Sequence, residues 1–547
     1  MKWTTRLVLA MVLGMGAGIP PAASAAESVK IEVMYTSDIH GGISKSRGTF
    51  LNPQFPPPIG GGASAATYIG KVREQAEKLG RPVFLFDSGD IFQGTLVGKR
   101  TEGQAVVEWM NEVGYTASAL GNHDFDLGWE VTQRMLQTAN FPMMALNVYE
   151  AGTDKRVSWM DGPLFTEAHG IKIAVLGYCT ESTVNMALDK NIEGLEFRPV
   201  HEEIAKDVPW ARQEGADLVI VLMHVGLPWY PEHQKEYSLM VERAEAGELP
   251  HANMNAMEIA YTIPGIDLIF AGHTHTGYNE PWEDPVNHTI VFEPFANGSS
   301  IGHVTLELDP RTKSIMGYET HTGRGALVTL FEEEHWPDHA MDEVIGAKVA
   351  VVEEGMQDVV GETEVYLDRR SSEAGLMGFV VADAHRDACN ADFAIQNTGG
   401  VRADLPIGRI TEKDLFEVSP FDNQLMSISM KGSMLKQILE DKVSTRGFSL
   451  FISGGKIRFD PTRPEGDRII DFRIGGEPYD PDRVYTVAMT NYLATGNSGL
   501  WRVRDEIPDS DKVVMGTSDF TALVEYVRKL GVIRMRNDGR VVRVDPS

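Results

Sequence analysis

Four short apolar runs, each broken off by a residue able to bind a metal or move a proton, constrain this chain more than any other feature. The runs are "VKIEVMYT", "RPVFLFD", "ADLVIVLM" and "IDLIFAG". Each has the length of a buried strand. Between them lie stretches of helical periodicity, such as "ASAATYIGKVREQAEKLG" and "GQAVVEWMNEVG". Strand alternating with helix predicts a layered α/β domain. In such domains ligands bind just beyond the carboxyl ends of the strands. There the sequence places Asp38 and His40, Asp90, the stretch Asn122-His123-Asp124-Phe125-Asp126, His224, and His273 with His275.

At 547 residues the chain is too long for one core. We expect a first α/β domain over 29–325, an acidic helical linker over 326–357, and a smaller α/β domain over 358–547. The stretch from Phe331 to Val352 carries the linker's helical and acidic character, and "HQKEYSLMVERAEAGELPHA" reads as a charged insertion. Residues 1–25 have a basic start (Lys2, Arg6), an apolar run and an Ala-x-Ala site, the pattern of a cleaved signal peptide. The run is short of the roughly 20 residues that span a bilayer, so the expected location is periplasmic or secreted. The net charge of −28 argues against nucleic acid or an anionic membrane as partner. It also requires a locally positive site for any anionic substrate. The two cysteines, Cys179 and Cys389, are too few for a disulfide framework and are expected to be buried, separate thiols.

Two acids, four imidazoles and an amide at strand ends suit a pair of cations. Two dications ~3.5–4 Å apart need a bridging carboxylate and several N and O donors. Asp90 is the natural bridge. Imidazole-rich donor sets favour ions of the Mn, Zn, Co or Fe class, and the absence of cysteine from the set disfavours a structural zinc.

The ordered series D-x-H, G-D, G-N-H-D, H-V-G and G-H-T-H resembles the calcineurin-like metallophosphoesterases. Continued into the second domain, it resembles the bacterial periplasmic 5′-nucleotidase/UDP-sugar hydrolase family over essentially the whole mature chain. The resemblance implies a four-layer αββα sandwich followed by a smaller nucleotide-binding α/β domain. It implies a two-metal centre, with Asp38, His40 and His275 completing one site and Asn122, His224 and His273 the other. His123 would then face the substrate, oriented by Asp126, while Asp124 would point away.

In the second domain the resemblance assigns Arg402 to the phosphate or carboxyl end of the substrate and Asn397 to the base. Phe421 and Tyr492 would sandwich the base, because stacking tolerates any π-face. Arg369 and Arg370 are carried over as further anion contacts. Ser498 stands where the family has an aspartate that accepts bonds from ribose hydroxyls, and a hydroxyl loses that charge-assisted pair.

The implied activity is removal of phosphate from 5′-nucleotides, extending to nucleotide sugars or cyclic nucleotides, by water activated between two cations. The alternatives are a cyclic phosphodiesterase or thiosulfohydrolase on the same scaffold, or a non-catalytic periplasmic binder of nucleotides or metals. The expected partner is a small phosphate ester, with no obligate protein partner.

Overall fold

The computed structural model describes residues 28–544 apart from 50, 53–54, 229–232, 322, 324 and 370. The expected signal segment and Arg370 lie outside the described residues. Two sheets dominate the first half. One has the strand order 314–320, 300–309, 29–36, 83–87, 117–119, 143–144, with 327–329 also paired to 300–309. The other runs 282–283, 290–292, 268–270, 218–223, 171–178, 164–168.

Side-chain alternation explains why the sheets stack. Ile31, Val33, Tyr35 and Phe86 turn inward against Val175, Ile220, Leu222 and Phe270 of the other sheet. The intervening Met34 and Leu85 turn outward into a second core, with Ile69 of the helix Gly61–Leu79 and Met110 of the helix Gln104–Val113. Val219 and Val221 likewise meet the helices Val200–Gln213 and Ala256–Thr262. The result is helix, sheet, sheet, helix. Strands covered on both faces read as continuous apolar runs, which is why their sequences lack polar alternation.

The strands 29–36, 83–87 and 117–119 are mutually parallel, as are 171–178, 218–223, 268–270 and 290–292. Parallel strands deliver the residues that follow them to one edge of their sheet, and here those residues are the candidate ligands.

The acidic stretch from Phe331 becomes helical only at His339, not along its whole length. Pro337 disfavours a helix through the residue before it, and the Asp338 side chain caps the helix by accepting from the Met341 N–H. Met341 and Ile345 pack into that second core beside Ile69 and Met110. The charged insertion folds as the helix His233–Ala246.

The second half centres on a five-stranded sheet ordered 450–453, 393–397, 484–490, 424–431, 512–518. The helix Leu376–Cys389 buries Phe379 and Val380 in its core with Phe393, Ile395 and Val487. Cys179 and Cys389 are buried free thiols in different clusters. Among the described residues, no helix is long and apolar enough to cross a membrane.

Candidate metal centre and adjoining cavity

The strand ends converge. Asp38, His40, Asp90 and His275 have ligand atoms within 4.8 Å of one another, and so do Asp90, His224 and His273. Asp90 belongs to both groups. His224 Nε2 is 3.0 Å from Asp90 Oδ2, and His275 Nε2 is 3.3 Å from Asp38 Oδ1. His40 Nε2 lies 2.9 Å from His275 Nε2.

Backbone carbonyls orient two of these rings. His40 Nδ1 is 2.6 Å from the Gln93 carbonyl and His224 Nδ1 is 2.8 Å from the Ser88 carbonyl. A carbonyl only accepts, so both Nδ1 atoms carry hydrogen and both Nε2 atoms turn toward the carboxylates. Asn122 Oδ1 is buried without a hydrogen-bond partner among the described residues, and His224 Nε2, though 3.0 Å from Asp90 Oδ2, makes no aligned hydrogen bond with it. Orphaned donor atoms at this depth fit a divalent cation, since an unsatisfied buried polar group is costly.

The backbone is strained at these positions. Asp38, His40, Asp90, His273 and His275 all have positive φ, between 51° and 79°. Non-glycine residues adopt that region rarely, at about 1–3 kcal/mol each, and such outliers gather at functional sites. Glycines supply the remaining tight approaches. A Cβ on Gly121 would sit 2.2 Å from Asp90 Oδ1, and one on Gly89 2.4 Å from the Gly121 nitrogen.

Charge follows the same pattern. Burial pushes His273 down to about 3 and lowers His40 and His275. Burial would also lower His224, but the Asp90 and Asp38 carboxylates outweigh it and raise the ring to about 10. Two buried carboxylates thus demand a nearby positive charge. Asp124 serves differently: its carboxylate accepts from the backbone N–H groups of Asp90, Ile91 and Gly121 at 3.0, 2.9 and 2.8 Å. It holds the loop on which Asp90 sits.

His123 stands beside this pool. Its Nδ1 is 2.7 Å from Asp126 Oδ2, and its backbone N–H donates to Asp90 Oδ1 at 2.8 Å. Burial opposes a charge on the ring, but Asp126 and then Asp90 prevail and raise its pKa. Its ring lies 5.5 Å from that of His40 on one side and 5.5 Å from that of Phe421 on the other.

Phe421 comes from the second half of the chain, and so does Arg402, whose Nη2 reaches within 3.3 Å of His40 Nε2. Between the halves lies a cavity of about 530 Å³, bordered by Asp90, Asn122, His123, Asn397, Arg402, Phe421, Tyr492 and Ser498. Its size suits a small organic ligand. The structure therefore brings most of the expected residues to one space. Arg369 does not border this cavity but lies close enough for its charge to lower Arg402, with its backbone N–H on Asp404 and its Nη1 on the Val401 carbonyl. Ser498 is in the left-handed region and borders the cavity with Tyr492, while its backbone carbonyl accepts from Lys442 Nζ at 2.6 Å. Sequence reasoning missed Gln93, Gln396, Asn423 and Asn491, which also line the cavity. Isolated amides leave no pattern along a chain. A larger cavity of about 670 Å³ opens beyond His273, but it is lined by Glu181, Glu236, Glu242, Glu248 and Glu258 and would repel an anionic ester.

Two family models match this chain: calcineurin-like phosphoesterase over residues 31–277 and 5′-nucleotidase C-terminal domain over residues 359–505. Fold and site together define a metallophosphoesterase. The second match places a 5′-nucleotidase C-terminal domain after the phosphoesterase domain, the domain pair the sequence motifs resemble. The chain is 26% identical to a 5′-nucleotidase of Vibrio cholerae, covering 91% of this chain and 90% of that one. It is 25% identical to protein UshA of Yersinia enterocolitica, covering 96% of each. It is also 26% identical to endonuclease YhcR of Bacillus subtilis over 95% of its own length, but spans only 41% of that longer protein. Among solved structures, a 5′-nucleotidase precursor from Thermus thermophilus superposes with TM-score 0.80 at 24% identity, covering 94% of this chain and 99% of that one. The sulfate thiohydrolase SoxB of Thermus thermophilus gives 0.75 at 20%, covering 96% and 98%. These two likenesses speak to fold alone.

Proposed function

We propose that the chain is a secreted phosphohydrolase that uses two divalent ions to remove phosphate from 5′-nucleotides. One observation carries the reading: the His123 ring lies between the ligand pool and the aromatic Phe421, with its Nδ1 on Asp126. A binder of metals or nucleotides has no use for an imidazole so placed. We assign metal binding to residues 29–325 and substrate binding to 358–547, joined through 326–357.

The residues fit the ions: Asp38, His40 and His275 would hold one, Asn122, His224 and His273 the other, with Asp90 shared. When bound, the ions supply Lewis-acid stabilisation of phosphoryl charge and activation of water. Everything else falls to the chain. Arg402 presents a planar fork to the phosphoryl oxygens. His123, held by Asp126 through Nδ1, stabilises charge on the phosphoryl group and hands a proton to the leaving oxygen. Asn397 contacts the base, and Phe421 and Tyr492 hold it by stacking. Ser498 leaves no carboxylate for the ribose hydroxyls at its position.

Turnover of 5′-AMP, UDP-glucose and bis(p-nitrophenyl) phosphate, with added Mn²⁺ and with EDTA, tests this. We expect chelator-sensitive phosphate release from AMP. Turnover of the diester alone would overturn the nucleotide assignment, and release that persists in EDTA would overturn the metal assignment.

A further inference from the structure

Asn397 ends the strand Phe393–Asn397, and its neighbour Gln396 is 3% exposed. The two carboxamides touch: Gln396 Nε2 donates to Asn397 Oδ1 at 3.1 Å and approaches the Asn397 backbone carbonyl at 3.4 Å. A carboxamide has one accepting and one donating end, and its orientation is fixed by the network around it. Here the backbone carbonyl decides. It can only accept, so the donating end of Gln396 must face it, and the Asn397 side chain must present its oxygen to the same amino group. Reversing Gln396 would set its oxygen against two others.

The pair is also clamped from outside. Gly400 is buried, and a Cβ there would lie 2.1 Å from Gln396 Nε2 and 2.8 Å from Asn397 Oδ1. The missing side chain is the space the two amides occupy. Asn397 borders the cavity between the halves, as do Phe421 and Tyr492. With Oδ1 engaged, Nδ2 is the group Asn397 has left to offer there.

We propose that Gln396 is a positioning residue that locks the Asn397 carboxamide with its N–H₂ toward the cavity, so that the site selects a planar ring with a hydrogen-bond acceptor at that edge. This rests on the nucleotide-binding part of the function proposed above. Asn491 Oδ1, buried and without a partner among the described residues, adds an acceptor to the same cavity wall. The substrate class is then a nucleotide whose base is read at a ring nitrogen or keto oxygen.

The test is calorimetric binding of adenosine and of 1-deaza-, 3-deaza- and 7-deazaadenosine to the Mn²⁺-loaded protein. Each analogue removes one ring acceptor and adds no donor. We expect one analogue to bind about tenfold more weakly than adenosine, the effect of leaving one buried donor unpaired, and the other two to bind within about twofold. In Gln396→Met the donor that holds Asn397 is gone, and the tenfold penalty should fall to about twofold. In Gln396→Glu the carboxylate turns Asn397 over, and the same penalty should vanish. If Gln396→Met fails to fold, Gln396→Glu, of equal size and polar, carries that arm. A general loss of structure would weaken all four ligands together and keep their ratios. The proposal is overturned if adenosine does not bind, if no single analogue is penalised, or if the penalty survives both variants. Failure of the catalytic reading is separate: it would show as no phosphate release from AMP, whatever the pattern of nucleoside affinities.

Discussion

At the scale of single residues, His123 and His385 show how burial alone says little about role. Both are enclosed, but His123 has Asp126 on Nδ1, while His385 has neither nitrogen bonded among the described residues. His123→Ala should therefore lower kcat by about 10²- to 10⁴-fold while leaving the bound metal intact, as measured by turnover beside elemental analysis of the same sample. For His385, burial lowers the ring to about 3 from an ordinary 6.5. The unfolded chain takes up that proton first, so stability is full above about 6.5 and is lost as pH falls toward 3. The slope approaches about 1.4 kcal/mol per pH unit. His385→Leu removes two unsatisfied buried atoms, so it should raise Tm and flatten this acid dependence in thermal melts between pH 7 and 4. Only part of this was legible in the sequence. The ligand pool could be read because strand ends gather polar residues into short motifs. The Gln396–Asn397 pair could not, because its members owe their meaning to a contact and not to a spacing.

Among the elements, the turns at the ends of the parallel strands carry the site, and they are held by backbone contacts. Asp124 looked idle in the sequence, yet its carboxylate accepts three backbone N–H groups around Asp90. Asp124→Ala leaves those donors buried and unpaired, and should destabilise the protein by about 2 kcal/mol or more, read from denaturant midpoints. Gly121→Ala acts on the same loop in a different way. Its methyl would have to occupy space 2.2 Å from Asp90 Oδ1, so metal affinity should fall at least tenfold in a titration, with secondary structure unchanged by circular dichroism. The four strands that precede Asp38, Asp90, His224 and His273 were foreseen from their apolar runs, whereas 117–119, ahead of Asn122, is too short to announce itself. The helix of the acidic stretch was foreseen too long, because composition announces a helix more clearly than the proline and the cap that delay its start.

Over the whole molecule, two cores meet across the cavity. Lys99 Nζ donates to the Pro420 carbonyl at 2.7 Å and lies over the Phe416 ring, fastening the loop that holds Phe421 against the first half. Lys99→Met should raise KM for AMP several-fold with a smaller change in kcat, because it loosens the stacking ring and leaves the ligand pool untouched. Removing metal should act unevenly. EDTA should lower the unfolding transition of the first half of the chain by the linkage energy, about 2.7 kcal/mol for each ion present at a hundred times its Kd, and leave the second half's transition in place by differential scanning calorimetry. The left-handed backbone at Asp38, His40, Asp90, His273 and His275 carries a consequence for how the ions are chosen. Left-handed turns fix the directions of those five side chains through the backbone itself, which leaves the protein little freedom to remould around a preferred coordination geometry. A stiff mould of nitrogen and oxygen donors ranks ions by the general affinity order of divalent metals, and the ion it carries is then set by supply: the same polypeptide, folded in manganese-rich or zinc-rich surroundings, becomes a different catalyst without any change in sequence.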